Sequence, residues 1–348
     1  MTNVAIIGGG PAGLSAAACL AEHGISYTLL ERGAALAGLR RLDPEMQLLT
    51  PTSMSRLPSM ERRTDPEYMR FGELVDEIDT WRGARKLEIA SDATVESVER
   101  NGAGYAVHYR HQGVKQILHA TQVINATGII GNPNLPPELP SAVRWMHSVD
   151  VRSADLAAAR RLLVVGAGMS AAEVLERWLE LRGDSDRAWL STRGRVRASP
   201  SKIIGIDVHW LLWAPEHLRG RMFGKRLAPA RDLIIGRAVH RALGDRTVTR
   251  SSAIERYDAG AAVLVDGTRL EPDLVVYATG FRYAAAHLGE LVERDRDGWP
   301  IVDRHAASVR SPGLYLLGLR FGRSIASPYL RGISRDAVHV ARRIARSR

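Results

Sequence analysis

The chain is poor in thiol and in lysine, and it has no long apolar run. Its one cysteine, Cys19, rules out an intrachain disulfide and any Cys-x-x-Cys redox pair. Set among Ala16, Ala17, Ala18 and Leu20, that thiol reads as a small packing residue. No stretch reaches the roughly 18 apolar residues that a membrane-spanning helix needs. No basic leader precedes Val4-Ala5-Ile6-Ile7, so a cytoplasmic location is expected. Lysine stands only at 86, 115, 202 and 225, which leaves the net charge of +10 to arginine. The arginines are spread along the chain rather than gathered in a run interleaved with aromatics, so nucleic acid is not expected as a partner. A basic surface of this kind suits anionic cofactors. No metal is expected.

What the chain does contain is a repeat. Val4-Ala-Ile-Ile-Gly8-Gly-Gly10-Pro11-Ala12-Gly13 and Leu162-Leu-Val-Val-Gly166-Ala-Gly168-Met169-Ser170-Ala171 each read as an apolar strand, a glycine turn and a small-residue helix. Far downstream of each comes a closing strand, Val123-Ile-Asn-Ala126-Thr127-Gly128 and Val275-Val-Tyr-Ala278-Thr279-Gly280, at nearly the same spacing. A period this long means a duplicated domain rather than a solenoid, in keeping with the ~two domains that 348 residues imply. Between opening and closing motifs, short alternating runs are broken by Asn101-Gly102 and Gln112-Gly113 in one half and by Asp258 to Gly260 in the other. These are hairpin signals. The expected fold is α/β, two Rossmann-like units each with a small antiparallel excursion.

The turns differ in the nucleotide they suit. In the first, Gly8 permits the tight turn, Gly10 lets a pyrophosphate approach the backbone, and Gly13 allows helix to pack on strand. Pro11 opens the helix at the one place where proline sacrifices no hydrogen bond. The next strand ends at Glu31, whose carboxylate would accept from ribose hydroxyls and repel a 2′-phosphate, so this site takes FAD or NAD. At the matching place in the second half stand Ser191, Thr192 and Arg193, with Arg195 and Arg197 beyond. Guanidinium pairs bidentately with phosphate, which points to NADPH.

With Tyr277-Ala-Thr-Gly280-Phe281, Pro312-Gly-Leu-Tyr-Leu-Leu-Gly318-Leu319, Leu49-Thr50-Pro51, His147-Ser148 and Arg331-Gly-Ile-Ser-Arg-Asp336, the chain resembles the two-dinucleotide-domain flavoproteins. Among these it looks most like the class B flavin-containing monooxygenases and their short bacterial relatives. The resemblance implies FAD and NADPH as cofactors, with reduced flavin trapping dioxygen as a C4a-hydroperoxide that oxygenates an amine, a sulfide or a ketone. It implies an FAD domain over 1–150 and 285–348, with an NADPH domain over 151–284 inserted into it. It adds Arg32, Thr50, Val95, Ala126, Thr127, Gly128, Gly318 and Leu319 to the FAD site. Ser148, Met169, Ser170, Ala278, Thr279 and Gly280 join the NADPH site, and His147 becomes the catalytic candidate. Where that group carries Phe-x-Gly-x-x-x-His, this chain has Ser141 and Val143 before His147; where it places an Asn beside the flavin, this chain has Pro51.

The segment 202–243 is expected as a variable helical insertion. Its His209, Trp210 and Trp213 are the substrate candidates, although such a run can equally dock a second subunit or pack on the second domain. A homodimer is left open. Competing with the monooxygenase reading are a ferredoxin- or quinone-type electron-transfer reductase and a flavin-binding redox sensor; a dithiol mechanism lacks its cysteine pair.

Overall fold

The computed structural model describes residues 2–212 and 233–347. The first half begins with β1 (Thr2–Ile7), α1 (Pro11–Glu22), β2 (Tyr27–Leu30) and a short α2 (Ala37–Arg40), and continues through α3 (Phe71–Ala84). A meander follows: β3 (Ala93–Asn101), β4 (Gly104–His111) and β5 (Val114–Asn125). Its turns fall at the two Xaa-Gly pairs, and Gln112 and Gly113 both take positive φ, 49° and 83°, as a tight hairpin demands. β5 is long because it serves two purposes. Residues 114–120 pair antiparallel with β4, and residues 120–125 run parallel beside β1.

The second half opens with β6 (Arg144–His147), α4 (Ser153–Ala158), β7 (Arg161–Val165), α5 (Met169–Leu181) and β8 (Arg187–Ser191). Then come β9 (Arg197–Pro200), the hairpin β10 (Lys202–Ile203) with β11 (Ile206–Asp207), β12 (Leu233–Gly236), α6 (Val239–Gly244) and β13 (Val248–Ser251). A small three-stranded sheet of β14 (Ile254–Asp258), β15 (Ala261–Leu264) and β16 (Arg269–Leu270) precedes β17 (Leu274–Tyr277). The chain then returns to the first sheet: β18 (Leu314–Leu316) pairs parallel with β5, and α7 (Leu330–Arg346) packs against α1. In α7 the residues Ile333, Ala337, Val340, Ala341 and Ile344 are buried at helical spacing, leaving Arg335, Arg342, Arg343 and Arg346 outside.

The duplication is visible in the core. In β1, Val4 and Ile6 join one apolar cluster while Ala5 and Ile7 join another. In β7, Leu162 and Val164 lie in the first of these clusters and Leu163 lies in a third, with Val165 packed against it. Alternate side chains of one strand thus bury on opposite faces, as a parallel sheet covered on both sides requires. The second sheet, β13-β8-β7-β17-β6, is parallel throughout.

Two expectations change. β6, which carries His147, pairs with β17, so it belongs to the second sheet although it precedes residue 150. The chain crosses earlier, where residues 128–134 run beside 280–284, joined by Asn134 N to Gly280 O at 2.9 Å, Arg282 N to Asn132 O at 2.9 Å and Ala284 N to Gly128 O at 3.1 Å. The 202–243 segment is not simply helical either. Among the described residues it starts with the β10–β11 hairpin, and its β12 pairs parallel with β9. Trp213 lies outside the described residues.

Candidate functional site

The two glycine turns have the same construction. Gly8 N donates to Leu30 O at 2.8 Å and Gly166 N to Ser191 O at 2.9 Å, while Ala126 N and Ala278 N donate to Ile7 O and Val165 O, each at 2.8 Å. Gly8 and Gly166 take φ of 108° and 117°, and a Cβ there would meet Ala126 O at 2.6 Å or Ala278 O at 2.3 Å. Only glycine combines that φ with that approach. A Cβ on Gly13 would lie 1.8 Å from Gly8 O, so Gly13 is where α1 seats on the turn. The helices start at Pro11 and Met169 behind Gly10 and Gly168, neither with a side-chain cap. Their first N–H groups are left for an anion.

A cavity of about 430 Å³ opens above the first turn. Gly8, Gly10, Pro11, Ala12, Glu31, Arg32, Thr50, Val95, Ala126, Thr127, Gly128 and Gly318 all line it. A Cβ on Gly10 would meet nothing within 4 Å, so the space over the turn is open where a pyrophosphate would lie. Glu31 is held at the wall by Gly9 N (2.6 Å to Oε2) and Gly33 N (3.0 Å to Oε1), which aims its remaining lone pairs. Leu39, Leu48, Leu49, Ile130, Leu330 and Ile333 complete apolar walls. The donor set and the open cradle fit the diphosphate and ribose of an FAD. Gly13 and Leu319 do not reach the cavity, Leu319 being buried in the second core cluster.

Part of this wall comes from residues the sequence did not single out. Asn125 Oδ1 accepts from His287 Nε2 at 2.7 Å, and Asn125 Nδ2 donates to Thr127 Oγ1 at 3.0 Å and to the Tyr283 hydroxyl at 3.2 Å. Thr127 Oγ1 in turn donates to Ala284 O. Burial pushes the His287 imidazole down to about 4, so it is neutral. Tyr329 and Arg331, from the start of α7, also face the cavity. So does Glu173, on α5 of the second half, beside Met169, which the sequence had assigned to the other nucleotide site. Nothing local marks His287 as a wall residue, because its partner Asn125 is far away in sequence. Arg331 stood in a legible tail motif without a stated role.

At the second turn, Arg193, Arg195 and Arg197 are exposed and form no ion pair with any described residue. Ser191 is buried and its hydroxyl donates to Ser252 O at 2.8 Å; that of Thr192 donates to Gly194 O at 2.7 Å. The guanidinium groups are therefore open to an anion, while both hydroxyls are engaged. Thr279 Oγ1 donates to Asn134 O, within the interdomain ribbon. The Ser148 hydroxyl is buried with no hydrogen-bond partner among the described residues.

His147 is buried beside the ribbon rather than in the cavity wall. Its Nδ1 accepts from Val149 N at 3.3 Å, so Nε2 carries the hydrogen and donates to Gly280 O at 3.1 Å. The ring packs edge-on to Phe281 with centroids 4.9 Å apart. Burial lowers its pKa, outweighing the Gly280 carbonyl, which raises it. Of the substrate candidates, the two among the described residues, His209 and Trp210, do not reach the cavity either. His209 Nδ1 lies 2.9 Å from Asp207 Oδ1, and Asp207 Oδ2 accepts from the Tyr68 hydroxyl, a buried three-residue bridge between the halves. Trp210 is exposed, with Arg62 over its ring.

The sequence pattern of a pyridine nucleotide-disulphide oxidoreductase family matches residues 5–193. The chain is similar to the indole-3-pyruvate monooxygenase YUCCA4 of Oryza sativa subsp. japonica, at 28% identity over 97% of this chain and 86% of that protein. Its fold is similar to a flavin-containing monooxygenase from Stenotrophomonas maltophilia, with a TM-score of 0.81, 23% identity and coverage of 100% and 99%. The bacillithiol disulfide reductase of Bacillus cereus shares that fold too, at a TM-score of 0.74, 18% identity and the same coverage. Duplicated turns, the cradle above the first of them and the match over residues 5–193 agree: the chain belongs to the pyridine nucleotide-disulphide oxidoreductase family.

Proposed function

We propose that the chain is an FAD- and NADPH-dependent monooxygenase that oxygenates a small organic molecule with dioxygen. The observation that carries this reading is the cavity: apolar walls over the first glycine turn, closed on one side by α5 of the second half. Such a site brings two dinucleotides together and keeps water out. The dithiol alternative has no support, since the single thiol Cys19 is buried and burial pushes it up to about 12, leaving no thiolate.

When bound, FAD would supply the redox chemistry between NADPH and dioxygen. The protein binds and orients. Gly8, Gly10 and the α1 N-terminus would hold the diphosphate, and Glu31 the adenosine ribose. Asn125 fixes Thr127 and His287 in the wall. Arg193 would grip the 2′-phosphate of NADPH. His147 would act as a positioning residue, tying β6 to the ribbon at Gly280.

The test is rapid mixing. Protein reduced by NADPH without oxygen, then mixed with oxygenated buffer, is expected to reoxidise in two phases through a transient that absorbs between the reduced and oxidised flavin bands. A single phase at every pH, even with NADP⁺ bound, together with fast reduction of ferredoxin or quinone, would replace this reading by an electron-transfer reductase.

A further inference from the structure

α5 carries two carboxyls within one turn, and only one is explained by folding. Glu176 is buried and accepts from Ala238 N at 2.8 Å and Val239 N at 2.9 Å, with Arg237 3.9 Å away. Glu173 is half-buried, lines the cavity beside Met169, and forms no hydrogen bond or ion pair with any described residue. A carboxyl removed from water without a partner costs stability, so packing does not account for it. Its position does point to chemistry. It stands one helical turn beyond the second glycine turn, where NADPH would enter, yet faces the cavity built over the first.

We propose that Glu173 holds the proton that balances charge in this cavity: its carboxylate takes up one proton from solvent when the bound flavin is reduced. The proposal rests on the FAD reading above. In the step, NADPH loses a hydride and becomes NADP⁺, and the flavin gains that hydride with its two electrons and so one negative charge. The charge is met by a solvent proton on a Glu173 carboxyl oxygen. No further reactant is consumed.

The surroundings suit this role. Burial alone pushes the Glu173 carboxyl up to about 7, so the group exchanges its proton near neutrality, and a new negative charge nearby raises it further. Arg331, Arg32, Glu31 and His287 share the cavity wall with it. On the elements packed around α5, Asp155 of α4 pairs with Arg144, Arg237 before α6 with Glu176, and His240 lies in α6; on α5 itself Arg177 pairs with Glu180. None of these contributes to the shift.

The experiment is a redox titration of the FAD-loaded protein across pH, comparing the unaltered chain with Glu173→Gln and Glu173→Asp. Between about pH 7 and 9 the unaltered chain should take up two protons per two electrons. Glu173→Gln should take up one, halving the pH slope of the midpoint potential, and Glu173→Asp should keep the two-proton slope over a displaced window. A Gln variant with the unaltered slope overturns the proposal while leaving the cofactor reading intact. A chain that takes up no FAD overturns the cofactor reading, and the proposal with it.

Discussion

Arg193 is exposed, unpaired among the described residues and placed at the end of β8, while the neighbouring Ser191 and Thr192 hydroxyls are already engaged with backbone carbonyls. Losing one charged hydrogen-bonding partner of a phosphate costs about 1.5–3 kcal/mol. Arg193→Ala should therefore raise the KM for NADPH by roughly ten- to a hundred-fold, at 1.4 kcal/mol per decade. The KM for NADH should hardly move; equal losses with both coenzymes would show that Arg193 does not read the phosphate. His287 yields a prediction about acid. Burial lowers its pKa from 6.5 to about 4, so the folded chain keeps it neutral where the unfolded chain would bind a proton. The associated stability is complete above pH 6.5 and is lost as pH falls from there toward 4. His287→Gln cannot titrate, so its melting temperature should fall less over that window than that of the unaltered chain. His339, lowered from 6.5 to about 4 by burial and neighbouring charge, acts with the same sign and leaves part of the acid lability in the variant.

At the scale of elements, the glycines of the two turns separate folding from binding. Gly166 combines a φ of 117° with a Cβ position 2.3 Å from Ala278 O. Gly166→Ala must push β17 away from β7, and overpacking of this kind costs on the order of 1–3 kcal/mol. A lowered melting temperature and lost NADPH binding are expected, with FAD content largely retained. Gly10 is the opposite case, since its Cβ would meet nothing and its φ of −82° suits any residue. Gly10→Ala should fold with nearly unaltered stability and still lose FAD, because the methyl enters the space over the turn. Full FAD occupancy in that variant would place the diphosphate elsewhere.

Across the whole molecule, the two halves are joined by the ribbon of 128–134 with 280–284 and by the bridge from Tyr68 through Asp207 to His209. Burial would raise the Asp207 carboxyl, but the hydrogen bonds from His209 and Tyr68 hold it below its usual range. Asp207→Ala strands two buried polar partners, and each unsatisfied group costs about 1–3 kcal/mol. The variant should melt well below Tyr68→Phe, which strands one. In a double-mutant cycle, Tyr68→Phe should cost almost nothing once Asp207 is alanine; additive losses would show that the bridge is not a unit.

The repeat, the glycine turns, the hairpins and the contrast between Glu31 and Arg193 were all legible in the sequence. Each is written in a short window of chain, where φ requirements, strand alternation and charge at a strand end act locally. The tertiary structure alone decided that β6 joins the second sheet, that His147 spends both ring nitrogens on backbone, and that His209 bridges to Tyr68 rather than lining a pocket. It alone turned Glu173 toward the cavity over the first glycine turn and set Asn125 against His287. Those outcomes depend on how one half packs against the other, or on which distant strand a segment meets, and no periodicity within a segment encodes its partner.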